Sequence, residues 1–226
     1  KNFYFRDVYH LNKIKKIINP TSYIKKRTAL PWIPKIIGAC YRQCLFRINQ
    51  AKIFIRKSHY LIEEIQYFDE RFDRFWAAQA RCYEIATVRD SQYLNWRYIK
   101  NPENYTVLTI KTQETNALKG YIVLGCYQEE VKRGRILDIL IEPGNIQAAE
   151  LLLRSAVCHF IENDIEVIAC WMLEQWPLFE LLRQLGFQVR DTENILIARS
   201  WSKSIKDESL ADRSRWYLTM GDSDYF

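Results

Sequence analysis

Several features that would announce a chemistry by themselves are missing from this sequence. Its three histidines (His10, His59 and His159) are scattered, and none has a Cys, His or carboxylate at metal-ligand spacing, so no metal centre is expected. The six cysteines (Cys40, Cys44, Cys82, Cys126, Cys158 and Cys170) contain no C-x-x-C and no tight framework. That excludes a disulfide scaffold and fits a reducing, cytoplasmic compartment. Cys126, Cys158 and Cys170 fall in apolar runs, which is ordinary core usage. No run of about 18 apolar residues occurs, so no segment is expected to cross a membrane, and a peripheral position is the closest approach left open. There is no internal repeat, low-complexity tract or signal-peptide pattern. Without an initiator Met, Lys1 is expected to be an internal position of a longer protein.

Acidic residues are also scarce, but only at one end. Residues 1–60 hold 14 Lys and Arg against a single acid, Asp7, a net of +13, whereas residues 61–226 hold 19 against 26, a net of −7. The overall +6 conceals this asymmetry. Within the basic part, Tyr23–Arg27 and Pro31–Pro34 read as irregular. Residues 35–57 carry Ile37, Cys40, Cys44, Ile48, Ala51 and Ile55 at helical spacing. Such a helix suits an anionic membrane surface or nucleic acid. It equally suits a linker whose apolar stripe packs on a protein lobe while its charges are solvated. The sequence favours the linker, because no aromatic-basic nucleic-acid motif accompanies the stripe. The expected division is a basic extension over 1–60, a docking segment over 61–79 (Leu61, Ile65, Phe68, Phe72, Phe75) and a globular domain over 80–226.

With 226 residues and 48% hydrophobic content, one well-filled domain plus an extension is the natural size. Its most informative stretch runs from Arg135 to Phe187. Arg135–Glu142 is nearly all apolar, as a strand buried on both faces should be. Pro143-Gly144-Asn145 breaks it and supplies a helix cap. Apolar positions then recur at Ile146, Ala149, Leu153, Ala156, Val157 and Phe160 until Asn163-Asp164. Glu166–Leu173 is a second buried strand, and Trp176–Leu185 a second helix stopped by Gly186. Strand, helix and parallel strand form a right-handed βαβ unit, which leaves a helix N-terminus at the carboxyl end of its first strand, where anions bind.

Outward from this unit, Glu84–Asp90 reads as a first strand and Ser91–Ile99 as a short helix. Tyr105–Lys111 and Gly120–Tyr127 read as an antiparallel pair turning near Asn116, and Leu196–Trp201 and Trp216–Thr219 as closing strands. In that order the elements resemble the GNAT (acyl-CoA N-acyltransferase) superfamily over about 140 residues. Arg89-Asp90, Tyr93–Tyr98 with Pro102 and Tyr105, and the tail Trp216–Asp224 resemble more narrowly the C-terminal half of two-lobed bacterial GNAT proteins. The resemblance implies an α/β (α+β) fold with a mixed central sheet flanked by helices, here with an N-terminal helical extension. It implies acetyl-CoA or another acyl-CoA as co-substrate, an amine-bearing small molecule or peptide as acceptor, and a second GNAT lobe upstream in the same polypeptide.

Carried onto this chain, the family's coenzyme site falls on Gly144, Asn145, Ile146, Gln147 and Ala148. Backbone N–H groups around Ile139 and Ile141 would meet the thioester oxygen. The chain departs from the pattern in two places. Glu142–Ala149 keeps one glycine, no Lys or Arg falls between Arg135 and Arg154, and Glu142 adds negative charge beside the phosphates. The family's proton-donating Tyr, four residues before the Gly of its Gly-Phe pair, is matched by Leu182, and its helical Asn at best by Gln175. As candidates for proton transfer the sequence offers Asp138, either a desolvated base or a structural acceptor for Arg97 or a backbone N–H, and Glu142 at the strand's end. Tyr121 and Tyr127 are candidates to line an acceptor cleft. Arg89, Arg97 and Trp96 read as a packing and ion-pair cluster. Three function classes follow: an N-acyltransferase, a GNAT lobe without its own catalysis that supports a catalytic partner lobe, and a basic membrane-surface or partner-binding module.

Overall fold

The structure, a computed structural model, describes residues 6–10, 12–30, 32–128, 130–190, 195–198, 210 and 212–223. Its centre is built from the strands with apolar residues on both faces. β5 (Tyr105–Thr112), β6 (Leu118–Tyr127) and β7 (Arg133–Ile141) run antiparallel in turn. The β5–β6 turn uses Asn116 at φ 54°, a left-handed backbone that a short polar side chain tolerates. α5 (Ile146–Glu162) crosses over to β8 (Val167–Trp171), which lies parallel to β7 as the sequence predicts. Asn145 caps α5 by accepting the Ala148 N–H at 3.1 Å. α6 (Pro177–Gln184) opens on a proline at its first position and is closed by Gly186 at φ 84°.

The β7–β8 pairing is short. Only Arg133↔Val167, Gly134↔Ile168 and Arg135↔Ala169 are in register. Beyond them, Leu137 has no partner on β6, whose register steps from Val123↔Asp138 to Leu124↔Ile136. Such a bulge bends its strand and sharpens the local twist. β7 and β8 therefore diverge toward their carboxyl ends, and a wedge opens between them.

Among the described residues seven strands make up the sheet, in the order β3 (Tyr60–Ile65), β5, β6, β7, β8, β2 (Lys13–Ile17) and β9 (Gln188–Arg190). Its two outer regions differ from the sequence expectation. β2 (Lys13–Ile17), from the basic segment, lies between β8 and β9 (Gln188–Arg190), antiparallel to both. Ile14 and Ile18 are 0% exposed in the core. Lys16 is buried beside them, its ammonium donating to the Leu185 carbonyl over the Phe187 ring. Burial, then the nearby Arg154, lowers its pKa. The sequence shows no strand here because lysines hold three of the five positions. β1 (Arg6–His10) pairs with β10 (Ile195–Ala198) in a separate ribbon.

At the opposite edge, β3 (Tyr60–Ile65) pairs with β5, taking a part of the docking segment into the sheet. The remainder forms α3 (Glu70–Gln79), capped by Asp69, whose Phe72 and Phe75 are buried together with Phe68. The strand expected at Glu84–Asp90 is reduced to β4 (Ile85–Ala86), paired parallel to β11 (Trp216–Tyr217) outside the main sheet. The expected closing strands are thus absent from that sheet, and residues 199–201 lie outside the described ones. The helix expected at Ser91–Ile99 is α4 (Ser91–Leu94) continued by one wide turn over Asn95–Ile99.

The helix expected at 35–57 is one continuous α2 (Ile33–Arg56), after the single-turn α1 (Thr21–Lys25). Its orientation reverses the expectation. Ile37, Cys40, Cys44 and Ile48 are exposed, while the buried positions are Pro34, Gly38 and Asn49. On the inward side Leu45, Phe46 and Ile53 pack against the core, and polar contacts accompany them: Arg42 pairs with Asp164, Arg56 with Glu150, and Asn49 accepts from Arg154 at 3.0 Å. Because α2 covers the outer side of α5, Glu150 and Leu151 on that helix are buried as well.

Candidate functional site

The wedge between β7 and β8 leads to a cleft of ≈ 560 Å³, open mouth included, at the N-terminus of α5. One wall is the end of β7 and its loop, Ile141 to Gly144, continued by Asn145, Ile146 and Ala149. The second is the start of α6, Trp176 to Leu178. Tyr83 and Tyr217 form the third, their rings 4.4 Å apart, with Trp176 packed against both at 5.1 and 5.4 Å. The Trp176 indole N–H is held by the Trp216 carbonyl at 2.7 Å, so this aromatic wall is fixed. Burial pushes the Tyr83 hydroxyl up to about 12 and raises Tyr217 well above the usual tyrosine value, so both stay neutral donors. The Tyr217 hydroxyl donates to the Ile139 carbonyl. No local pattern relates Tyr83 to Tyr217, so this wall is not legible before the chain folds.

Five of the site residues expected from the sequence meet at the cleft: Ile141, Glu142, Gly144, Asn145 and Ile146. Gln147 points elsewhere, donating its amide to the Arg56 carbonyl at 3.0 Å, and Ala148 is fully buried. Ile139 and Asp138 lie deeper, along a second, smaller hollow inside the wedge that Trp171, Leu178 and Leu182 also line.

Asp138 is the hub of a buried network. Its carboxylate accepts from Arg89 Nε at 3.1 and 3.2 Å, from the hydroxyls of Tyr121, Thr219 and Tyr98 at 3.1, 3.2 and 3.3 Å, and from the Ile139 N–H at 2.9 Å. Arg89 also donates to Asp222 at 2.7 Å. Burial raises the Asp138 pKa, opposed chiefly by the Arg89 charge. Both carboxylate oxygens of Asp138 are occupied by these donors. Its partner is Arg89 rather than Arg97, which donates instead to the carbonyls of Gly221 (3.0 Å) and Ser223 (2.5 Å). Trp96 stands apart from these contacts, exposed and packed beside Tyr93. Tyr121 is committed to Asp138, and the Arg135 guanidinium sits 4.0 Å from the Tyr127 ring centroid, so neither lines the cleft.

The same geometry tests whether the cleft suits the two ends of an acyl-coenzyme A. A diphosphate needs converging N–H donors and positive charge. Here the Ile146 N–H donates to the Gly144 carbonyl at 3.0 Å, that of Ala148 to the Asn145 side chain, and that of Ala149 to the Asn145 carbonyl at 3.1 Å. Glu142 is not the bare anion the sequence suggests. Lys119, opposite it across the β6–β7 ladder, donates to one carboxylate oxygen at 2.7 Å and Asn145 to the other at 3.1 Å. The charge is compensated, but Lys119 and the Asn145 amide are engaged in doing so. Gly144 is required by its φ of 78°, with no protein atom within 4 Å of where a Cβ would sit. The residues present therefore do not fit a diphosphate, whereas the Ile141, Ala149 and Leu178 walls suit an apolar chain. Among the described residues no group of three or more His, Cys, Asp or Glu could hold a metal ion.

No family model matches the sequence, and no curated protein matches it. Solved structures do, at TM-scores below 0.5. One is a GCN5-related glucosamine N-acetyltransferase region of a fungal multi-domain GH3 β-N-acetylglucosaminidase, 13% identical over 46% of this chain and 12% of that one, TM-score 0.37. Another is the C-terminal domain (DUF2156) of a putative lysylphosphatidylglycerol synthetase from Agrobacterium fabrum, 8% identical over 83% of this chain and 59% of that one, TM-score 0.47. A third is a functionally unknown protein from Staphylococcus epidermidis, 7% identical over 81% of this chain and 59% of that one, TM-score 0.41. The chain thus spans less than two thirds of each. Strand order, the α5 crossover and the diverging parallel pair make the fold GNAT-like.

Proposed function

We propose that the chain is the C-terminal lobe of an N-acyltransferase, and that acyl transfer to an amine belongs to the whole protein. In this reading the lobe holds the apolar part of a substrate between the ends of β7 and β8 and does not grip the nucleotide of coenzyme A. The observation that carries it is the cleft: apolar and aromatic walls at the splayed strand ends, beside a helix N-terminus where the N–H groups of Ile146, Ala148 and Ala149 are already engaged. The alternative, in which this lobe is itself catalytic, would assign Glu142 as the base for the amine. Its pairing with both Lys119 and Asn145 favours the supporting role.

Calorimetry with octanoyl-coenzyme A and with an octanoyl thioester of N-acetylcysteamine, which lacks the nucleotide, tests the reading. The two should bind within about threefold of each other, less than about 0.7 kcal/mol apart. Ile146→Asp should weaken both, since it sets a charge on the cleft's lip while suiting the helix N-terminus. If the nucleotide improves affinity by more than about tenfold, about 1.4 kcal/mol, the lobe carries its own coenzyme site and the proposal is wrong. Failure of both ligands to bind would remove the cleft as a substrate site.

A further inference from the structure

A helix that packs on a protein normally turns its apolar stripe inward. α2 does this with Leu45, Phe46 and Ile53, which pack against the core, and it carries a second apolar face that points away from the body. The inward side also holds Arg42, Asn49 and Arg56, which meet the body through ion pairs and hydrogen bonds, and Gly38, which lies close against Asn19 and Thr21. Successive positions advance by about 100° around the helix. That places Ile36, Ile37, Ile48, Phe54 and Ile55 together on the outward face, all exposed, with Phe54 at 87% and Ile55 at 71%. Cys40, Cys44 and Ala51 fill the spaces between them, also exposed. At the N-terminal end of α2 stand the exposed Leu30 and Trp32, and before them Lys25, Lys26 and Arg27, again exposed.

Charge identifies the occupant. Between residues 8 and 62 there are 12 Lys and Arg and no Asp or Glu. Arg47 lies within the outward face, and Lys52 is exposed at its margin. A protein partner's face would have to be both apolar and uniformly acidic to match. An anionic bilayer surface is both, with an acyl boundary beneath a sheet of negative headgroups. The 24 residues of α2 extend about 36 Å at 1.5 Å per residue, and among the described residues no helix is long and apolar enough to cross a membrane, so α2 would lie in the surface plane.

We propose that the outward face of α2 docks this protein on anionic lipid bilayers, with Phe54, Ile55 and the neighbouring isoleucines entering the acyl boundary and the flanking Lys and Arg at the headgroups. The inference is independent of what the cleft binds. It is tested by co-sedimentation of the chain with vesicles of phosphatidylcholine alone or mixed with phosphatidylglycerol, at low and high salt. Binding to the mixed vesicles is expected, with little to the neutral ones, and it should weaken as salt rises. The double variant Phe54→Ser/Ile55→Ser, at positions that contact little of the body, should bind at least about tenfold more weakly with an unchanged circular dichroism spectrum. Binding that survives this variant is adhesion of charge alone and overturns the proposal. So does absence of vesicle binding accompanied by a dimer, seen in sedimentation velocity, that the same variant dissociates, because a second copy would then cover the face.

Discussion

Arg89 and Asp138 are each 1% exposed and hold together residues from β6, β7, the α4 turn and the C-terminal tail. A buried charge is tolerable only while its partners remain. Arg89→Leu would leave Asp138 and Asp222 facing one another without a cation. We expect a loss of about 3–5 kcal/mol of stability in urea unfolding. A loss under about 1 kcal/mol would mean that the tail is not anchored by this network. The tyrosines around the pair set a second expectation. Burial raises Tyr98, Tyr121 and Tyr217 well above 10.0, and Tyr83 to about 12. The unfolded chain therefore releases these protons at lower pH than the folded one, which makes stability fall as pH rises. This contribution is complete at neutral pH and is lost from about pH 10 through pH 12. Thermal melting across pH 8–12 should show the decline beginning near pH 10, and a flat profile to pH 12 would contradict the burial of these hydroxyls.

Among the elements, β2 and α2 set apart what the sequence could and could not reveal. The βαβ unit was legible because its apolar runs, its Gly144 and Gly186 breaks and its Asn145 cap are all local signals. β2 was not, since Lys13-Ile-Lys-Lys-Ile17 looks like a solvated basic stretch until β8 and β9 are present on either side. Its burial yields a sharp prediction. Ile14→Ala should cost about 2–5 kcal/mol, as for a core residue. A change below about 0.5 kcal/mol, typical of a surface position, would show that the strand is dispensable. For α2, periodicity correctly gave a continuous helix but could not say which face meets the body. That was decided by partners far away in sequence: Glu150 and Asp164 for its arginines, and the core for Leu45, Phe46 and Ile53. The cleft divides in the same way: its β7 and α5 wall was readable from one stretch, whereas Tyr83, Trp176, Tyr217 and the Lys119 that neutralises Glu142 converge only through the fold.

Taken as a whole, the molecule separates two surfaces that the sequence had already separated by charge. The basic first 60 residues supply an inner strand and an apolar helical face turned outward. The acidic remainder carries most of the sheet and the cleft. Acyl transfer is proposed for the entire protein, with this lobe providing an apolar cleft and no diphosphate grip. Titration calorimetry of the chain with acetyl-coenzyme A tests that claim most directly. The acetyl group offers the cleft little apolar surface and the loop offers the nucleotide few donors, so a dissociation constant weaker than about 100 µM, about −5.5 kcal/mol, is predicted. A value in the low micromolar range, about −8 kcal/mol, that Ile146→Asp weakens would contradict it and make this lobe a coenzyme-binding one in its own right.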